Sequence, residues 1–354
     1  MNFKYWVGAC ALSLVGLSAS AQSHVTLFGV VDMAMNASRS GGVSTHRMVD
    51  GGDAASRIGV RGSEDLGGGL RLNFMLEGGV NAPTGTGTVP GPAFAFTRQS
   101  FMTFSSPWGS FDMGRMYTPV FMALYRADPL GMNALNSSLN LIYSADAQPG
   151  LRPFAPRANG MLRYRSPAGK PLFLDAGYSH GNSLSPGGKD GRLYSVSVGW
   201  NRKPWYLAYS IQTGRTATEA SGVISSYRSK HQALSAGWHA SDAVRFTGNY
   251  IHAKASRTGV NRSRIAHLAG EWQVTPTSKV MASIASRKVS SSDRSQTTWT
   301  LGYNHMLSKR TVLYGRWLQL RNSGGSSVSM GGVPVLADSG HGIRSLALGI
   351  RHNF

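Results

Sequence analysis

The chain has 354 residues, 44 of them glycine, and sets 36 Lys+Arg against 16 Asp+Glu for a formal net charge of +20. Its single cysteine, Cys10, excludes a disulfide framework and argues against thiol or cysteine-metal chemistry. So basic a balance points to an anionic partner (nucleic acid, lipopolysaccharide phosphate or small anions) without choosing among them.

Residues 1–21, MNFKYWVGACALSLVGLSASA, carry one positive charge at Lys4, an apolar stretch from Tyr5 to Leu17 and an Ala19-Ser20-Ala21 end. This predicts a cleaved secretory signal peptide and a mature chain of residues 22–354 beginning at Gln22. Val7-Gly8-Ala9-Cys10 loosely fits a lipidation box, but the apolar segment before the cysteine is too short for a lipoprotein signal. Removing Lys4 leaves 35 basic side chains against 16 acidic ones, or +19, and 27 of the basic residues are arginine. No later run is apolar enough for a membrane-spanning helix.

Beyond residue 22 the period is two. Residues 56–79, SRIGVRGSEDLGGGLRLNFMLEGG, interleave Arg57, Arg61 and Arg71 with an apolar file of Ile58, Val60, Leu70, Leu72, Phe74 and Leu76. The same alternation returns in Tyr194, Val196, Val198, Trp200, in Trp205, Leu207, Tyr209, Ile211, and in Ala266, Leu268, Trp272, Val274. Short turns are predicted at 63–68, 106–109, 166–170, 201–204, 240–242, 275–277 and 307–310. Longer Gly/Ser-rich loops are predicted near 37–54, 79–95, 116–157, 180–191, 213–226, 255–262, 289–295 and 322–341. Seven turns and eight loops join sixteen strands. The fold class is therefore all-β: a transmembrane antiparallel 16-stranded β-barrel with short periplasmic turns and long outer loops. A propeller would show a blade repeat, and none is found. A sandwich would bury the apolar files and expose a long basic face instead.

HVTLFGVVD (24–32), SRIGVRGSEDLGGGLRLNFMLEGG (56–79), TRQSFMTFSSPWGSFDMGRMYTP (97–119) and the terminal GIRHNF (349–354) resemble the general porins of Gram-negative bacteria, and among them the β-proteobacterial branch of trimeric general-diffusion porins. The resemblance spans the mature chain, though the middle third matches mostly by pattern. It implies an outer-membrane location, a homotrimer and an infolded third loop, residues 116–157, that narrows the lumen. It also implies passage of small ions and hydrophilic solutes, contact with outer-membrane lipid and lipopolysaccharide, and insertion by the barrel-assembly machinery, with Phe354 as the assembly signal.

If the apolar files face lipid, Arg57, Arg61 and Arg71 face the lumen, and rows of charge are how pores select ions. In the resembling porins a basic wall cluster faces acids on the infolded loop. The wall positions fall on Arg57, Arg98, Arg115 and Arg157, and a loop acid falls on Asp128. This chain departs from the pattern at Phe121-Met122, where the family often has an acid, and adds Arg126. Arg126, Asp128, Asp146 and Arg152 then nearly cancel, so an anion preference is expected. Arg61 and Arg71 are expected nearer the periplasmic mouth. No nucleophile motif, paired histidines or clustered basic-aromatic face suggests an enzyme, a metal site, a cofactor or a nucleic-acid partner. The residues leave open a substrate-selective channel or a non-conducting, adhesin-like barrel.

Overall fold

The computed structural model describes residues 24–88, 94–144, 154–181, 191–220, 223–255, 262–290, 292–330 and 340–354, with the side chains of 216–220 and 223–227 excepted. The expected signal peptide, Asp146 and Arg152 lie outside the described residues. Sixteen barrel strands follow in chain order: β1 (His24–Ser40), β2 (broken into Val43–Asp50 and Arg57–Gly67), β3 (Leu70–Asn81), β4 (Gln99–Ser106), β5 (Gly109–Tyr117), β6 (Arg157–Arg165), β7 (Leu172–Ser179) and β8 (Leu193–Arg202). The second half comprises β9 (Trp205–Ala220), β10 (Val223–His239), β11 (Val244–Ala255), β12 (Ser263–Thr275), β13 (Ser278–Val289), β14 (Ser295–Met306), β15 (Thr311–Ser323) and β16 (Ile343–Asn353). Each pairs antiparallel with the next, and β16 pairs with β1 from Val30↔Asn353 to Ser40↔Ile343, closing the ring.

The wall is inside out relative to a soluble sheet protein. Val25, Leu27, Met102, Phe111, Tyr194, Leu207, Leu234, Leu268, Leu301 and Leu348 are exposed on the outer face. Their strand neighbours Ser195, Ser197, Ser210, Gln212, Thr247, Asn249, Thr298 and Thr300 are buried in the interior. A closed barrel leaves no unpaired edge, so the apolar face can be turned to hydrocarbon without stranding backbone groups. Near the short turns Trp205 stacks on Trp238 with centroids 5.9 Å apart, and Trp238 on Phe246 at 6.0 Å, forming part of an interfacial aromatic belt.

Two predicted loops are strands instead. β1 runs to Ser40 and turns through Gly41-Gly42, both at positive φ (55° and 87°), directly into β2. A Gly-Gly pair is suited to such a tight hairpin. Likewise β9 continues to Ala220 and β10 resumes at Val223. These extensions rise past the apolar band, where outward side chains no longer need to be apolar, so the backbone stays paired while the alternation fades.

The break in β2, residues 51–56, is held from beneath. Asp32 accepts hydrogen bonds from the backbone N–H of Gly52 (3.2 Å), Asp53 (2.9 Å) and Ala54 (2.6 Å), and Tyr314 donates its hydroxyl to the same carboxylate. Asp50 accepts from Ser56 and Ala82. The ledge so formed receives the third loop: Asn133 donates to the Gly51 carbonyl at 2.5 Å and Asn136 to the Gly52 carbonyl at 3.0 Å.

That loop folds into the barrel. Helix α1 (Pro119–Arg126) begins with Thr118 as N-cap, its hydroxyl accepting from the Phe121 N–H, and Pro119 pre-set for the first turn. Val120, Phe121, Ala123 and Leu124 turn to the wall, while Tyr125 and Arg126 stay exposed. The loop is fastened along the interior: Val120 N–H to Ser195 (3.2 Å), the Ala123 carbonyl to Tyr206 (3.1 Å), the Ala127 carbonyl to Asn249 (2.9 Å), the Asn136 carbonyl to Thr300 (2.7 Å) and Ser138 to Ser283 (2.7 Å). Leu139, Leu141, Ile142 and Phe154 complete an apolar seam against Ala233, Ile251, Ile265, Ala285 and Leu318. Each such side chain taken fully from water stabilises the docked loop by roughly 1.5–3 kcal/mol.

Candidate functional site

With the loop laid along β8–β14, the opposing wall of β2–β6 carries the arginines. Inward phase places Arg57 on β2 and Glu77 on β3, and Arg98 stands immediately before β4, its backbone N–H donating to the Glu77 carbonyl. Glu77 is 5% exposed and takes both arginines: Arg57 Nε lies 3.3 Å from one carboxylate oxygen and Arg98 Nε 2.8 Å from the other. Arg98 also donates to the Tyr117 hydroxyl at 2.9 Å. Arg157 donates to that same hydroxyl, and its guanidinium carbon sits 4.1 Å from the Tyr117 ring centroid. Three guanidinium groups are therefore gathered round one carboxylate and one neutral phenol, a net of +2.

Tyr117 ties this cluster to the loop. Its ring stacks on Phe121 (4.6 Å, 9° between planes), and Phe121 stacks on Tyr125 (6.1 Å). The spacing of four residues on α1 aligns Phe121 and Tyr125 on one face. Beyond them Arg126 lies 5.8 Å from the Phe173 ring centroid, and its backbone carbonyl accepts from Arg245.

The sharing of one acid between two cations recurs around the lumen. Glu271 meets Arg245 (3.0 Å) and Lys279 (3.1 Å), and Asp53 on the ledge meets Arg316 and Arg351. Arg163–Asp175 (2.5 Å) and Arg165–Asp112 (2.7 Å) are one-to-one pairs. Among the described residues Glu77 and Glu271 each leave one cation in excess, while Asp32 beside Asp53 offsets the excess on the ledge; an excess of wall cations is the arrangement by which a water-filled pore concentrates anions.

Of the expected site residues, Arg57, Arg98 and Arg157 are brought together. Arg115 is not. It sits where the β5–β6 register shifts between Gly114 and Met116, and it bonds the Thr97 carbonyl and Asn159 instead. Asp128 is corrected: it is 4% exposed, and its carboxylate accepts from Leu130 N–H (3.0 Å), Met132 N–H (2.8 Å) and the Ser137 hydroxyl (2.6 Å). It knots the loop rather than facing the passage. Arg61 lies 5.5 Å from the Phe28 ring centroid, and Arg71, 63% exposed, pairs with Asp65 at 3.5 Å beside the turn between β2 and β3. The wall arginines are also not unopposed, because Glu77 answers two of them. Glu77 stands in the same inward phase as Arg71 and Asn73, so the period of two held that signal. Tyr117 had no comparable signal.

The model of the Gram-negative porin family matches residues 8–325. The chain is a Gram-negative porin. It is a passive diffusion channel of the outer membrane, and its closed barrel matches a solved porin structure. Over 362 residues this porin is 29% identical to outer membrane porin protein 32 of Delftia acidovorans, with 98% of both chains covered. It is 29% identical over 192 residues to an outer membrane porin protein of Bordetella pertussis, covering 50% of this chain and 48% of that one. Among solved structures it superposes on the anion-selective porin from Comamonas acidovorans with a TM-score of 0.81 and 26% identity, covering 94% of this chain and 100% of the other. OmpT of Vibrio cholerae, at a TM-score of 0.66 and 13% identity over 94% of this chain and 98% of its own, shares the fold.

Proposed function

We propose that this porin passes small hydrophilic solutes and ions with a preference for anions, and that Arg57, Arg98 and Arg157 set that preference. The observation that carries the reading is the two-to-one count at Glu77, with Arg157 met only by the neutral Tyr117 hydroxyl within that cluster. Arg126 adds an exposed positive charge from the loop, while the burial of Asp128 removes the loop acid that would have offset it. Arg61 extends positive charge toward the periplasmic mouth, where Asp65 answers Arg71, and Arg115 is held outside the cluster by the Thr97 carbonyl and Asn159. The anion-selective character of the Comamonas structure supports the same reading. Membership of a family of channels supports reading the chain as a pore rather than an enzyme.

Ion substitution tests the proposal. Replacing K⁺ by a bulky organic cation should leave single-channel conductance nearly unchanged, and replacing Cl⁻ by gluconate should lower it sharply. The reverse pattern would refute it. The reading includes a homotrimer, which predicts conductance closing in three equal steps, and a contact of Phe354 with the assembly machinery during insertion.

A further inference from the structure

The ledge in β2 is where the loop, Arg57 and the closing strands of the barrel meet. β1 pairs with Asp50 at Met33 and with Arg57 at Val30, so residues 51–56 stand opposite only Val31 and Asp32 and leave the wall. A segment pushed out of a strand presents backbone groups that the ladder no longer satisfies. Asp32 satisfies most of them. Its carbonyl accepts from the Gly51 N–H (3.1 Å), its own N–H donates to the Ser56 hydroxyl (2.9 Å), and its carboxylate takes the N–H groups of residues 52–54. The Tyr314 hydroxyl completes the carboxylate, and the ring fits because Gly52 and Gly349 have no Cβ to meet it. Asp32 is 0% exposed, so no passing ion touches it.

Three contacts depend on the shape so fixed. The Gly51 and Gly52 carbonyls seat the loop tip through Asn133 and Asn136. The Ala55 carbonyl accepts from Arg57 Nη1 at 2.9 Å, so the same ledge aims the guanidinium that meets Glu77. Asp53 holds Arg316, which closes over Gly302 together with Leu130 of the loop. We infer that Asp32 is a positioning residue for ion selection: by fixing residues 51–56 it holds the loop tip against the wall and Arg57 at the passage. Its effect on ions rests on the anion preference proposed for the Arg57 cluster, while its effect on the width of the passage is independent of charge. The sign of the effect separates this role from simple electrostatics. Asp32→Asn removes a negative charge from the wall, which by charge count alone raises the anion preference. Positioning gives the reverse. An amide offers one acceptor oxygen and turns N–H donors toward the ledge N–H groups, so residues 52–54 come loose. The loop tip then retreats and ions pass farther from the guanidiniums. Moving an ion from about 7 Å to about 10 Å from the net-positive wall cluster lowers the anion-to-cation ratio about twofold to threefold.

The test uses the mature barrel, with folding checked by its heat-dependent mobility on a gel. It records the reversal potential under a KCl gradient, single-channel conductance, and liposome-swelling rates for a neutral monosaccharide and a neutral trisaccharide. Asp32→Asn should lower the anion-to-cation ratio about twofold to threefold, raise conductance and narrow the gap between the two sugar rates. Tyr314→Phe changes no charge and removes one donor from the carboxylate, and it should act in the same direction to a smaller extent. Asn133→Ala/Asn136→Ala should widen the passage by freeing the loop tip alone. A raised ratio in folded Asp32→Asn, or sugar rates equal to wild type, would overturn the inference. Should Asp32→Asn not fold, wild-type behaviour of both Tyr314→Phe and the loop double variant would overturn it. A wild type that prefers cations would defeat the proposed anion preference, and the sugar rates would still decide the role of Asp32.

Discussion

Replacing Arg57, Arg98 and Arg157 together with glutamine takes the wall cluster from a net of +2 to −1, because Glu77 remains. The size of the effect follows from Coulomb's law. With about 7 Å between a guanidinium and a permeating ion in water-filled space, one charge is worth ~0.6 kcal/mol. At 0.1 M salt, where the Debye length is about 10 Å, screening halves this to ~0.3 kcal/mol. One unit of charge then changes the local concentration of each ion by a factor of ~1.6, and the anion-to-cation ratio by about threefold. Three units change the ratio by roughly twentyfold, enough to reverse a moderate preference. The assay is the reversal potential across a planar bilayer under a KCl gradient, with folding checked by the heat-dependent mobility of the barrel on a gel. A folded triple variant whose reversal potential matched wild type would refute the assignment of selectivity to this cluster.

Glu77→Gln should act in the opposite direction, raising the net charge to +3 and the anion-to-cation ratio about threefold by the same arithmetic, read by the same potential. Asp128→Ala strips acceptors from two backbone N–H groups and the Ser137 hydroxyl, a loss of roughly 1–3 kcal/mol for each donor left unsatisfied. The barrel should still assemble, while single-channel current becomes noisier and the loop is cut sooner by protease; an unchanged noise spectrum and cleavage rate would contradict the loop-knot role. Phe354 pairs its backbone with Gly29 at 3.1 Å in both directions, and its ring covers the space a side chain at Gly29 would need. Deleting Phe354 or replacing Gly29 with valine should therefore lower the yield of folded barrel in a refolding assay, and a normal yield from both would remove Phe354 from seam closure.

Strand number, most turn positions and the outward apolar files were legible because each is a local property: period two, a turn residue, a Gly-rich interval; the turn expected at 63–68 is instead paired strand to Gly67, with Gly68 and Gly69 making the turn. The loop boundaries at 37–54 and 213–226 were misread for a physical reason. Above the apolar band a strand keeps its backbone ladder but loses the hydrophobic alternation that reveals it, as in Val43–Asp50, where Arg47 and His46 sit among Ser44, Thr45 and Met48. Arg57 was legible from phase and Arg157 only from the family resemblance, while Glu77 was in phase with Arg71 at the end of the same stretch. Asp128 was placed correctly in the loop but not in its role. A carboxylate two to four residues before free backbone N–H groups can satisfy them locally, and that competes with facing the lumen. Arg115 shows the limit of carrying a position over from a resemblance, since a register shift at Gly114/Met116 interrupts the strand there and Arg115 bonds the Thr97 carbonyl and Asn159. The ledge at 51–56 depends on Asp32 and Tyr314, which are 282 residues apart and meet only when the barrel closes.

A lumen that is net positive beside its infolded loop favours anions. The most direct measurement is the zero-current potential of the wild-type protein in a planar bilayer under a tenfold KCl gradient, where the two ions have similar mobilities. The dilute side should become negative, moving toward the chloride equilibrium potential and collapsing as salt is raised on both sides. A dilute side that becomes positive would contradict the account.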